Sequence, residues 1–361
     1  MRVAIVHDWL TGMRGGEKVL DIFCELFPNA DIYTLLWVKG SVSKGIESHK
    51  IYTSFLQHFP MVEKKYRYYL PLMPLAISRF KLNDYDLVIS SSHCVAKGVS
   101  VKKGTPHICY CYTPMRYIWD QYSEYFNPER SSFLVNTAMS MIRPFLQKWD
   151  VGSSKNVSEF IAISNHIKNK INTVYNREAL VIYPPVDISN YPKSDAGNYY
   201  LMVAALVPYK RTDIAIKAFN NLKYPLKIIG TGPEEPKLKK LAGPNIEFLG
   251  WLSDAEIKQY YANCKAFIFP QVEDFGITAV EAQAAGKPVI AFGKGGAAET
   301  VIDGITGKYF NEPTAETLEN TIKTFETMKF DQNKIRENAK KFSQEHFKKE
   351  INAFFSRYIK F

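Results

Sequence analysis

Short apolar runs alternate along this chain with stretches whose apolar residues recur at helical spacing. Val3 to Val6 is followed by Val19, Leu20, Phe23, Leu26 and Phe27, and further runs come at Leu87 to Ser90 and Ile108 to Tyr112. Apolar runs this short suit strands covered on both faces, and the helical stretches between them supply crossovers, so the rhythm predicts βα units on a parallel sheet. A second series begins after Tyr183-Pro184-Pro185-Val186-Asp187 and the polar stretch to Asn198. Its predicted strands are Tyr200 to Ala204, Leu226 to Ile229, Ile246 to Leu249, Ala266 to Phe269 and Pro288 to Ala291. The paired prolines make an extended connector. The expected organisation is therefore a domain over 1–187, a second over 188–345, and a basic, aromatic-rich helix over 346–361 that can pack back on the first. Open α/β sheets bind ligands outside the carboxyl ends of their strands. Two doubly wound α/β domains facing across a cleft are the expected architecture.

Composition agrees with two ordinary cores: 361 residues are 46% hydrophobic and 23% charged, which excludes a disordered or coiled-coil protein. No uncharged apolar stretch reaches the 18 or so residues of a spanning helix, and Met1 to His7 lacks the order of a signal peptide. The expectation is a cytoplasmic chain. Five cysteines, an odd number in no zinc-like spacing, point to neither a disulfide framework nor a metal site. The formal charge is +10, and residues 50–81 concentrate it, with six basic residues, one acidic residue and seven Phe or Tyr. Such a segment suits an anionic membrane surface, an aromatic glycan groove or a plain solvated face, and prolines at 60, 71 and 74 argue against one long helix. The basic residues form no nucleic-acid-binding module, so nucleic acid is not an expected partner.

Candidate chemistry clusters after predicted strands. Pro270 to Gly286 carries Glu273 and Glu281 with seven residues between them across a strand-to-helix turn. Thr278 and Glu281 have the spacing of a capping box, and Glu273 reads equally as a solvated loop carboxylate. A helix starting near Ile277 would point its free amides, Ile277 and Thr278 first, at an anion such as phosphate. Either Glu273 or Asp274 can face the ligand, with Phe275 and Gly276 completing the turn. In the segment Val207-Pro208-Tyr209-Lys210-Arg211, two cations stand just before a helix. The macrodipole disfavours cations there, so a bound diphosphate explains them better than chance exposure does. Gly15 and Gly16, after the first strand, read as a plain turn or as a close approach to phosphate. Asp84-Tyr85-Asp86 precedes a strand and reads as a structural turn, and His7, His93 and His107 show no ligand spacing.

These segments, with Lys287 to Ala291, Gly295-Gly296-Ala297-Ala298-Glu299-Thr300-Val301, Gly230-Thr231-Gly232-Pro233 and Tyr112 to Tyr117, resemble the family 4 retaining glycosyltransferases of the GT-B fold, known also as glycosyl transferases group 1. The wording of His7 to Leu10 and Val207 to Arg211 is similar to bacterial O-antigen and exopolysaccharide mannosyltransferases. The resemblance implies catalytic roles for Glu273, which contacts the donor sugar, for Lys210, which binds the diphosphate, and for Tyr112, which can donate a hydrogen bond near the sugar but carries no positive charge. It implies further that Glu281 holds the ribose, that Gly16 and the amides of Ile277 and Thr278 approach the diphosphate, and that Trp251 and Leu252 lie near the base. For Trp251, packing at a strand end is the equal alternative. Two positions depart from the family pattern: Ala205 stands where an Arg is usual, and Tyr112 where many members have His. Loss of that Arg removes a contact of about 1.5–3 kcal/mol unless Arg211 or Arg14 replaces it.

The expected activity is transfer of a hexose, mannose foremost, from a GDP- or UDP-linked sugar to a glycan or lipid-linked glycan. No separate cofactor or metal is expected, and the site of action is the inner face of the cell membrane. A catalytically silent scaffold and a nucleotide-sugar epimerase or hydrolase are the alternatives.

Overall fold

The computed structural model describes residues 1–126, 132–194 and 197–358. Two residues of the polar connector and the last three of the C-terminal segment therefore lie outside the described residues. Two compact units emerge, Met1–Pro184 with Phe347–Phe361, and Pro185–His346.

In the first unit seven strands, β1 (Val3–His7), β2 (Asp31–Thr34), β3 (Ile51–Thr53), β4 (Leu87–Ser92), β5 (His107–Cys111), β6 (Glu159–Ala162) and β7 (Ala179–Val181), lie in the order β3-β2-β1-β4-β5-β6-β7. All neighbouring pairs are parallel, and Ile5 stands level with Ile32 on one side and Ile89 on the other. Every residue of β1, β4 and β5 is buried, which is why these strands read as continuous runs rather than as alternating ones. The second unit holds β8 (Tyr200–Val203), β9 (Leu226–Ile229), β10 (Ile246–Gly250), β11 (Ala266–Phe269), β12 (Val289–Phe292) and β13 (Gly307–Phe310), ordered β10-β9-β8-β11-β12-β13 and again parallel. Strand order reverses at β1/β4 in one sheet and at β8/β11 in the other. Those two reversals are where open α/β sheets offer a ligand crevice.

The segment 50–81 breaks into short turns of helix, Phe55–His58, Val62–Lys65, Tyr66–Leu72 and Met73–Ser78. Its aromatics divide: Tyr66 is buried with its ring 4.9 Å from that of Trp9, while Tyr68 is 71% exposed. The helix Gln344–Phe355 places Phe347 and Phe355 against Phe23. Five free cysteines are buried. No described helix is long and apolar enough to cross a membrane, and no group of described side chains is arranged to hold a metal ion.

Two buried polar groups inside the first unit, Lys97 and His107, are matched by partners. The Lys97 ammonium meets the Asp150 carboxylate, which also accepts from Trp119 Nε1 at 2.8 Å and from the Tyr175 hydroxyl at 2.9 Å. Fully buried His107 lies between Asn156 O, 3.2 Å from Nδ1, and Ser90 Oγ, 2.9 Å from Nε2. The carbonyl can only accept, so Nδ1 carries the proton and Nε2 accepts from Ser90. Burial holds this ring neutral and pushes its pKa down from 6.5 to about 4.

The unfolded chain then binds a proton that the folded one refuses, and stability falls as pH drops from about 6.5 towards 4. This ring contributes about 3 kcal/mol to that loss. Urea unfolding followed by tryptophan fluorescence, which reports chiefly the first unit because Trp9, Trp37, Trp119 and Trp149 lie there, is expected to show the decline. It should be shallower by close to one proton in His107→Gln; an unchanged slope contradicts the assignment.

Candidate functional site

In the second unit the reversal between β8 and β11 gathers the predicted residues. After β8 the chain runs through Ala204 and Leu206 to a short turn, Pro208–Lys210, and enters helix Thr212–Leu222. The turn closes because Arg211 adopts a left-handed backbone, φ +51°, as the residue that caps the helix. Alongside, the Gly230-Thr231-Gly232 loop lies directly on this chain. A Cβ on Gly230 would fall 2.0 Å from Ala204 O, and one on Gly232 would fall 2.3 Å from Leu206 O. Glycine is required at both because backbone packs on backbone.

After β11 the loop Pro270 to Gly276 leads to helix Ile277–Ala284, with Gly276 at φ +92° as its cap and no side chain capping it. Two further glycines seat this loop. The Gly296 amide donates to Glu273 O at 2.8 Å, a Gly296 Cβ would sit 2.2–2.4 Å from Phe275 backbone atoms, and a Gly295 Cβ would sit 2.6 Å from Glu273 O. Phe275 is buried, its ring 5.5 Å from that of Phe342. Its ring anchors the loop from below.

So held, the Glu273 carboxylate accepts a hydrogen bond from the Lys210 ammonium, and both side chains are about one-fifth exposed. Residues 63 positions apart in sequence thus meet outside the ends of adjacent strands. Asp274 is half-buried beside Glu273. Arg211 Nε reaches Asp213 Oδ1 at 3.3 Å. The two cations before the helix are therefore each matched by a carboxylate.

The capping-box reading of Thr278 and Glu281 is also corrected. The helix begins at Ile277, so Thr278 already lies in its first turn, and Glu281 Oε2 accepts instead from the hydroxyl of fully buried Tyr261 at 3.2 Å. Burial first, and the Glu281 charge after it, push the Tyr261 phenol well above its ordinary range, so it remains a donor. Trp251 is 77% exposed after β10 rather than packed at the strand end, while Leu252 is half-buried in the core beneath.

In the first unit the helix begins at Gly15, so Gly15 and Gly16 belong to its first turn and not to a preceding loop. A Cβ on Gly16 would meet only ordinary contacts, 3.5 Å from His7 and 3.6 Å from Tyr112; the fold itself does not demand glycine there. The Tyr112 hydroxyl donates to Gly16 O at 3.0 Å and hydrogen-bonds with Ser91 Oγ at 2.9 Å, which in turn lies 2.9 Å from His7 Nδ1. Tyr112 is a strut that positions the helix start.

Composition and spacing name no partners for the surrounding residues. Asp8 accepts from four successive amides, His93 to Ala96, at 2.6–3.0 Å and so pins the loop after β4 to the end of β1. His93 Nδ1 lies 3.1 Å from Asp8 Oδ2, and burial pushes its ring down to about 4. Glu17 stands 3.6 Å from His7 Nε2. Although burial pushes the Glu17 carboxyl upward, the His7 ring outweighs it and holds the pKa below the usual range. The available signal was position: His7, Asp8 and His93 end or follow the two strands at the reversal.

Comparison with known proteins agrees with this layout. Residues 186–342 match the family model for glycosyl transferases group 1, and residues 15–190 match that for Glycosyltransferase Family 4. An uncharacterized glycosyltransferase of Methanocaldococcus jannaschii is 32% identical over 53% of this chain and 56% of its own length. A GDP-mannose-dependent phosphatidylinositol monomannoside mannosyltransferase of Mycolicibacterium smegmatis is 33% identical over 29% of this chain and 32% of its own. The chain spans about half or less of the length of these curated relatives. Among solved structures, Anabaena HepE in complex with UDP superposes with a TM-score of 0.69 at 20% identity, covering 99% of this chain and 100% of that one. That likeness shows a GT-B fold.

Gly296→Ala forces a methyl group into the Glu273–Phe275 backbone and is expected to cost about 1–3 kcal/mol. Thermal unfolding of the second unit measures it; a melting temperature equal to wild type contradicts the seat described for Glu273.

Proposed function

The chain is a glycosyltransferase of group 1, and from that premise we propose that it moves a hexosyl unit, mannose foremost, from a nucleoside diphosphate sugar to a hydroxyl of a glycan or lipid-linked glycan. The observation that carries the reading is the Lys210–Glu273 pair at the β8/β11 reversal, beside a helix start that no side chain caps.

Transfer requires charge to collect on a departing diphosphate while positive charge develops at the sugar carbon. An ammonium and the Ile277 and Thr278 amides at a helix N-terminus stabilise the first. A diphosphate arriving here offers Lys210 a phosphate oxygen in place of the Glu273 carboxylate. Glu273 is then released to accept from sugar hydroxyls and to balance the developing cation. Glu281, oriented by Tyr261, is set to accept from the ribose hydroxyls, and Trp251 with Leu252 supplies a surface for the base. Arg211 provides a second positive group in the place of the Arg that Ala205 lacks. Retention at the anomeric carbon, and a reaction run without a metal, belong to this proposal. The first unit, where Tyr112 holds the Gly16 carbonyl, takes the acceptor.

The mannosyl donor is favoured by the GDP-mannose-dependent relative. Synthesis of bacterial surface polysaccharide at the inner face of the membrane is the setting this reading proposes. A silent scaffold would have no use for Lys210, Glu273 and Glu281 held in these positions.

Thermal shift with GDP, UDP and ADP is expected to show one nucleotide raising the melting temperature by several degrees, since saturation at a hundred times Kd stabilises by about 2.7 kcal/mol. Lys210→Ala should weaken that binding about ten- to a hundredfold, and Glu281→Gln should weaken it less. A folded protein that no nucleoside diphosphate stabilises overturns the donor site.

A further inference from the structure

The first unit contains an apolar cavity of about 330 Å3 walled by Trp9, Leu70, Met73, Tyr117, Val135 and Ile142. That volume lies at the lower end of the roughly 300–1,000 Å3 typical of small-molecule sites. Among the described lining residues Arg67 is the one charged group; it is exposed, with its guanidinium 5.4 Å from the Tyr66 ring centre. The helix Phe133–Ser154 is apolar on two sides. Val135, Ala138 and Ile142 line the cavity, while Leu134, Met141 and Phe145 stand 67–78% exposed on the same helix. Folding alone does not account for large apolar groups held in water beside an apolar hole. Lys64 and Lys65 lie near Arg67 in sequence and are also exposed, so the charge around this part of the chain is strongly positive.

The inner wall carries a further point. The Trp9 ring packs edge-on against His93 at 4.5 Å, and His93 lies on Asp8 at the β1/β4 reversal. The cavity therefore abuts the polar cluster at the ligand-binding end of this sheet.

The geometry points to a binding site for the hydrocarbon chain of a phosphate-bearing amphiphile, with the chain in the cavity and its phosphate on Arg67. This rests on the glycosyltransferase reading and deepens it, because it makes the acceptor a lipid-linked one whose chain the first unit grips directly.

Isothermal titration with dodecyl phosphate below its micelle-forming concentration tests the assignment, with dodecanol and inorganic phosphate as separate probes. Dodecyl phosphate should bind at least tenfold more tightly than inorganic phosphate. Ala138→Trp, which fills the cavity, should lose at least tenfold in binding of both chain-bearing probes. Arg67→Glu, a surface change that leaves the core intact, should weaken dodecyl phosphate several-fold and leave dodecanol unchanged. Nucleoside diphosphate binding, measured on the same samples, should be unaffected in both variants, which shows that they are folded. Equal binding of dodecyl phosphate by wild type and both variants, or binding no tighter than inorganic phosphate, overturns the chain site. Absence of nucleotide binding with intact chain binding overturns the donor reading instead and leaves the chain site standing.

Discussion

Glu273 is where it is because two glycines let one loop rest on another. The amide of Gly296 holds the Glu273 carbonyl, and no Cβ fits at Gly295 or Gly296 without striking the backbone of Glu273 or Phe275. With that contact in place, the loop after β11 comes within reach of Lys210, and Gly276 can start a helix with its amides open. On the other side of the reversal, Gly230 and Gly232 set the chain before Lys210 in the same manner. Both side chains are thus carried by loops fixed at backbone level.

The first unit uses a different device at its own strand reversal. There a single buried carboxylate, Asp8, takes four backbone amides and ties two loops together. Tyr112 then braces the first turn of the helix at Gly16. Where many members of the family have His, this chain has a neutral hydroxyl already bound to backbone. In the proposed transfer the positive charge comes from Lys210 and Arg211, and Tyr112 supplies a neutral hydroxyl.

Much of this was legible in the chain. Strands buried along all or nearly all of their length, such as β1, β8 and β11, announce themselves as apolar runs, and the residues after them, Lys210 and Glu273 to Gly276, follow at turns. Edge strands carry weaker signals: β3 has three residues and β13 reads Gly-Lys-Tyr-Phe, so neither stands out from a loop. Spacing misled at Thr278 and Glu281, because a capping box and a helix already under way share the same interval. The helix start is set by Gly276, and the Glu281 partner, Tyr261, lies 20 positions away. The pairing of Asp8 with His93 is hidden for a related reason, since it spans 85 positions and arises only when β1 and β4 pair.

The proposed transfer turns on Lys210 exchanging Glu273 for a diphosphate. A crystal structure of the full chain with the nucleoside diphosphate that binds it most tightly tests this directly. The predicted result is Lys210 Nζ within about 3 Å of a phosphate oxygen, Glu273 released from it, and the ribose against Glu281. A nucleotide bound away from the β8/β11 reversal, or bound there with the Lys210–Glu273 pair intact, would contradict the account.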